Sequence, residues 1–177
     1  PERVAVSQRI LPNTLTGRLM RDVRARIYSG QFSADGSLFV AATQADVLQL
    51  YDTTTWRGMK TIETEGVRWT VSSTDFSPDN QFVIYSTLSD TLHLANVFGE
   101  YEIHEPLDVD TRGGAIYSAQ FSAGGTEVAC GASRALSIFD VERKTTVDVV
   151  HAHSDDINSV CYLDLAYRPH LMATGSD

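Results

Sequence analysis

The chain has 177 residues, enough for a domain with a sizeable core, and 42% of them are hydrophobic, a globular and not a disordered composition. Its net charge of −9 is uneven: residues 1–26 hold six arginines against Glu2 and Asp22, while the remainder carries 8 basic and 21 acidic side chains. So acidic a body argues against nucleic-acid binding across it, and no apolar run approaches the roughly 18 residues of a membrane-spanning helix.

Residues 1–26 lack hydrophobic alternation and carry Pro12, Asn13 and Gly17, so a basic lead-in is expected there. Its arginines (Arg3, Arg9, Arg18, Arg21, Arg24, Arg26) are scattered, which suits a solvated arm better than a dense nucleic-acid or import signal. Ile27–Ser33 then alternates as a strand and meets a turn at Ala34-Asp35-Gly36, where Asp caps locally and Gly supplies positive φ. Leu38–Thr43 is nearly all apolar, as expected of a strand buried on both faces. Val47–Asp52 makes a third strand, and the more polar Gly58–Glu63 suits an outer edge.

The pattern then recurs. Val71–Ser77, the turn Pro78-Asp79-Asn80, Phe82–Thr87 and Thr91–Val97 form a second copy, with an edge strand expected at Tyr101–Ile103 and an acidic loop at 105–110. A third copy runs from Ile116, turns at Gly124-Gly125 and ends on an edge strand at Thr145–Val150; a fourth starts at Ile157 and lacks its last strands. Phe32, Phe76, Phe121 and Tyr162 hold one place in the four copies, 44, 45 and 41 residues apart. A period in the forties with several short strands per unit predicts an all-β fold, a β-propeller of four-stranded antiparallel blades. The blades fall near 27–66, 67–112 and 113–152, with an incomplete one at 153–177.

Three and a half blades do not close a ring, since propellers use about 4–8, so the reading expects a fragment of a longer propeller with exposed inter-blade surface. Gly30, Thr74 and Ala119 sit two places before the repeat aromatic, where a crowded inter-blade contact is expected. Replacing Gly30 by Leu should therefore cost about 1–3 kcal/mol.

Chemistry-bearing patterns are few. His151-Ala152-His153-Ser154-Asp155-Asp156 reads H-x-H-x-D-D, near the H-x-H-x-D-H of binuclear zinc hydrolases, so His151, His153 and Asp155 could ligate a metal. The competing reading is structural, because His153 lies four residues before Ile157, at the opening of a repeat. No nucleophile elbow, phosphate loop or C-x-x-C pair is present, so no catalytic residue and no cofactor are assigned. Cys130 and Cys161 each fall in a strand and read as small core hydrophobes in a reducing compartment, cytoplasm or nucleus. Trp56 and Trp69 flank the first inter-blade connection, where packing outweighs a binding role.

The phrases QFSADGSLFVAA, DFSPDNQFVIYS and QFSAGGTEVACG resemble the F-S-P-D-G-x-x-L-A-S segment of WD-repeat proteins. Tyr51-Asp52 and Phe139-Asp140 resemble the terminal W-D, although no copy has Trp-Asp and the second ends Ala95-Asn96. The family's hydrogen-bonded tetrad carries over only to the fourth copy, with His153 as its His and Thr174 as its Ser/Thr, both stability residues. In the first copy Ala41 and Ala45 stand where that tetrad's Ser and Asp would be, so apolar packing is expected to hold it. RWTV, SDTLHLANVFGE and HSDDINSVCY resemble more narrowly the cullin-four-associated WD-repeat substrate receptors and the plant LEC-type WD proteins.

That resemblance implies a non-catalytic protein-interaction scaffold, the substrate receptor of a cullin-RING E3 ubiquitin ligase. Its partners would be a damage-binding adaptor protein on one face and a degradation substrate on another, with no membrane involved. The adaptor motif W-D-x-R is missing, since Arg143 follows Phe139-Asp140 one residue late, so partner-binding residues stay unassigned. The alternatives are a WD-repeat scaffold of another complex and the zinc-dependent hydrolase of His151, His153 and Asp155.

Overall fold

A computed structural model of the chain describes residues 26–44, 46–66, 69–163 and 171–177. Most of the basic lead-in, together with Ala45 and His170, lies outside these residues. The described residues form thirteen strands and no helix. Strands β1 (Ile27–Phe32), β2 (Leu38–Thr43), β3 (Val47–Asp52) and β4 (Gly58–Glu63) make one antiparallel meander. Strands β5 (Ser73–Phe76), β6 (Phe82–Ser86), β7 (Thr91–Asn96) and β8 (His104–Asp108) repeat it. The third sheet holds β9 (Ser118–Phe121), β10 (Glu127–Gly131), β11 (Ser133–Asp140), β12 (Thr145–Tyr162) and β13 (Met172–Ser176).

Local chemistry repeats with the strands. Ser33, Ser77 and Ser122 accept hydrogen bonds through Oγ from the amides of Leu38, Phe82 and Glu127, at 2.9, 2.9 and 3.1 Å. Each thereby closes the turn between the first and second strands of its sheet. Gly36, Asn80 and Gly125 share the left-handed position of that turn, with φ of 72°, 59° and 73°, a conformation that Gly and Asn adopt most readily. Hydrogen bonds from Ser33 and Ser37 hold the Asp35 carboxyl well below the ordinary range, and Ser77 and Gln81 do the same for Asp79.

A second series closes the third strands. Asp52 and Asp140 accept the amides of Thr55 and Arg143 at 2.6 and 2.7 Å. Asn96, at the matching place, accepts the Ile103 amide at 2.9 Å and donates to the carbonyls of Phe98 and Tyr101. The W-D aspartate position is therefore a turn cap in this chain, which Asn fills as well as Asp.

The core lies between sheets and not within one. Leu38, Val40, Leu48, Leu50 and Ile62 of the first sheet pack on Val71, Phe76, Val83, Tyr85 and Ala95 at the second. The second sheet's other face, including Ile84, Leu92 and Leu107, packs on Ile116, Phe121, Val128 and Phe139. Ala129, Leu136 and Ile138 then meet Ile157, Val160, Tyr162 and Met172. This is the stacking of adjacent propeller blades.

The structure corrects four expectations. The second edge strand is β8, not Tyr101–Ile103, and it occupies the stretch read as an acidic loop. Leu107 and Val109 are buried there, and Pro106, which has no N–H to donate, is tolerated because the strand is outermost. The third edge strand and the start of the fourth copy are one strand: β12 pairs with β11 through its first half and with β13 through its second. Cys161 is exposed, and only Cys130 is a core residue. Crowding at Gly30 comes from within its own sheet, where an added Cβ would lie 2.9 Å from Phe39 Cζ.

Candidate partner-binding surface

Strands β1, β5, β9 and the second half of β12 lie side by side as the inner strands. Counting back from the repeat aromatic, the side chains three and one places earlier reach across to the next inner strand. Ser73 Oγ accepts the Ala119 amide at 3.1 Å, and Asp75 Oδ2 accepts the Phe121 amide at 2.9 Å. At the next junction Ser118 Oγ accepts the Val160 amide at 3.2 Å and Gln120 Oε1 accepts the Tyr162 amide at 2.7 Å. At the first junction the matching pair is hydroxyl to hydroxyl, Ser29 Oγ and Thr74 Oγ1, 3.1 Å apart. The four bonds at the second and third junctions satisfy inner-strand N–H groups that the sheets' own ladders leave over. The sequence showed the small residues between these positions but not the ladder itself, because its polar members differ from copy to copy.

Above this ladder lies a cavity of about 330 Å3, lined among others by Gln31, Phe32, Asp75, Gln120, Phe121 and Tyr162. Asp75 is the acidic member of the series, set between the amides Gln31 and Gln120. Burial pushes its carboxyl up to about 6, against the pull of the Phe121 and Phe76 amides.

A second polar cluster joins β6, β7 and β8. Tyr85 Oη accepts the Glu65 amide at 2.9 Å and lies 3.1 Å from His104 Nε2, whose Nδ1 is 3.4 Å from Glu102. His93 stacks on Tyr85 with ring centroids 4.9 Å apart and an interplanar angle of 9°. Burial, assisted by His104, lowers the His93 pKa, and His93 Nδ1 is buried without a hydrogen-bond partner. Desolvation raises the Tyr85 hydroxyl to about 12.

Of the residues singled out from sequence, His153 and Thr174 are brought together, with Nε2 and Oγ1 2.8 Å apart across β12 and β13. His151, His153 and Asp155 alternate along β12, and among the described residues no three His, Cys, Asp or Glu side chains converge to hold a metal ion. Trp56 and Trp69 are half exposed. Trp56 leans on Phe32 and Phe39, with centroids 6.3 and 6.2 Å away, and Trp69 on Tyr28 at 5.4 Å. No helix among the described residues is long and apolar enough to cross a membrane.

No family model matches the chain. It is 33% identical over 169 residues to the LEC14B protein of Lithospermum erythrorhizon, covering 86% of this chain and 35% of that protein. It is 27% identical over 173 residues to the DDB1- and CUL4-associated factor 11 homolog of Caenorhabditis elegans, covering 88% of this chain and 30% of the relative. Among solved structures it matches the β-propeller domain of Cps50 (Swd1) from Myceliophteria thermophila, with a TM-score of 0.71 and 16% identity over 85% of this chain and 49% of that one. A chain of the mitotic checkpoint complex gives 0.73 and 17%, over 88% of this chain and 46% of that one. The chain thus spans about a third of the length of these curated relatives. In fold it is β-propeller structure, and in sequence it resembles the LEC14B proteins and the DDB1- and CUL4-associated factor 11 homologues.

Proposed function

We propose that this chain serves as a protein-interaction scaffold and forms part of a substrate receptor in a cullin-RING ubiquitin ligase. One observation carries the reading: similarity along 88% of the chain to a protein described as a DDB1- and CUL4-associated factor homologue. The fold is compatible, because stacked sheets hold their loops rigidly and present polar surface for partner selection without requiring chemistry. In this reading one face docks the DDB1 adaptor, another takes the degradation substrate, and the protein works in cytoplasm or nucleus.

Co-purification tests it. The chain, tagged and expressed in cells, should retain DDB1 and the cullin at moderate salt. Capture of neither, by this chain or by a longer form of the protein that contains it, refutes the ligase reading.

A further inference from the structure

The inner-strand cavity contains a carboxylate whose surroundings neutralise none of its charge. Asp75 Oδ2 accepts the Phe121 amide at 2.9 Å, yet among the described residues no lysine, arginine or histidine forms an ion pair with Asp75. A largely buried, unpaired carboxylate is costly, and a protein ordinarily supplies a cation or avoids the arrangement. The same repeat position holds amides in the flanking blades, Gln31 and Gln120, and Gln120 makes the inter-blade hydrogen bond without a charge. The acid at the middle position is therefore surplus to the ladder's structural need.

The cavity gives that charge an outlet. Asp75 lines it together with Gln31, Gln120 and the half-exposed ring of Phe32. We propose that this cavity binds an alkylammonium group, either the end of a lysine side chain from a partner or a small free amine. Asp75 faces the charge, the Gln31 amide oxygen accepts one ammonium N–H, and the Phe32 ring offers a cation–π contact.

The geometry narrows the class. A divalent metal needs several oxygen or nitrogen ligands, and Asp75 is the single acidic group lining the cavity. A guanidinium is best met by two free carboxylate oxygens in a fork, and the Phe121 amide already occupies Oδ2. An ammonium is a compact point charge and needs one. The volume, about 330 Å3, lies at the small end of the roughly 300–1,000 Å3 range of ligand pockets and suits one side chain better than a folded surface. The site does not depend on the ligase reading and stands or falls separately from it.

The test uses the 177-residue chain, 15N-labelled, titrated with acetyl-Gly-Lys-Gly-amide, with the norleucine analogue and with methylammonium chloride. The lysine peptide should shift the Phe76 and Phe121 amide signals saturably, and the norleucine peptide should shift them at least tenfold less. Binding by methylammonium as tight as by the peptide assigns the site to small amines; binding by the peptide alone assigns it to a lysine side chain. Asp75→Asn, shown folded by its melting curve, should lose at least tenfold in affinity. Equal shifts with lysine and norleucine, no saturable shift with any amine at millimolar concentration, or undiminished binding by folded Asp75→Asn each overturn the proposal. The lysine–norleucine comparison decides the matter even where the variant does not fold.

Discussion

Ile27 and Phe32, at the two ends of β1, stand at the repeat positions that Val71 and Phe76 hold beside β5 and that Ile116 and Phe121 hold beside β9. The first pair is 58% and 50% exposed, whereas Val71 and Phe76 are 0% and 4% exposed and Ile116 and Phe121 are 0% and 6%. One pattern thus yields opposite environments. The apolar period says which side of a strand is meant for a neighbour. Burial itself comes from the sheet that stacks against it, not from the strand's own residues. Phe32 turns to its own surroundings instead, with its ring 4.8 Å from Phe39 and 6.3 Å from Trp56.

The comparison can be broken by truncation. Phe121→Ala should cost about 3–5 kcal/mol in urea unfolding, because it empties a site closed by two sheets. Phe32→Ala should cost under about 1 kcal/mol, since much of its ring already meets water. Equal losses would mean that Phe32 is covered in solution.

Glycines sharpen the same contrast. A Cβ on Gly131 would sit 2.8 Å from the Ile157 carbonyl oxygen and from Val160 Cγ2, inside a packed junction. Gly131→Ala should therefore destabilise by about 1–3 kcal/mol. Gly30→Ala meets only the far end of the Phe39 ring, on the open side, and should cost less than half as much in the same denaturation series. The larger Gly30→Leu keeps its expected cost of about 1–3 kcal/mol, with strain against Phe39 as the cause.

Asp75 distinguishes the covered junctions by charge. Its carboxyl titrates near 6, above the ordinary value of 3.8, so the folded state holds the proton more tightly than the unfolded one. The stabilisation from that proton is complete below about pH 4 and is lost as pH rises through 6. Asp75→Asn keeps an oxygen for the Phe121 amide and removes the titration. It should gain about 1–3 kcal/mol at pH 7.5 and nothing at pH 4, read from melting curves at the two values. A gain of the same size at both values would assign the effect to packing.

The smallest expected effect concerns the fourth copy. Thr174→Val removes the partner of His153 at nearly constant volume and should cost about 0.5–1.5 kcal/mol. Amide exchange should quicken in β13 and stay unchanged in β5.

The propeller was legible because its signals are local and recur: the Ser that closes each first turn, the left-handed residue after it, and the run of apolar second strands. The second edge strand was not. Pro106 and the acids around it read as a loop, and only the buried Leu107 discloses a strand laid against β7. The inner ladder was equally hidden, because Ser73, Asp75, Ser118 and Gln120 share a direction and a hydrogen-bonding role but no residue type. Of the residues nominated for chemistry, His153 was placed by its spacing from Ile157. Asp75, which lines a cavity and was not among those residues, had no local feature to distinguish it from a surface acid.

Strand β12 gives the chain a mechanical asymmetry. The first and second sheets are joined through the segment between β4 and β5, and the second and third through residues 109–117, so each pair is linked by a connection between separate strands. The third sheet and the fourth copy share one 18-residue strand, whose register shifts where its pairing passes from β11 to β13. Any opening of the fourth copy therefore tugs directly on the outer edge of the third sheet, and the two should exchange, melt and resist force as one body.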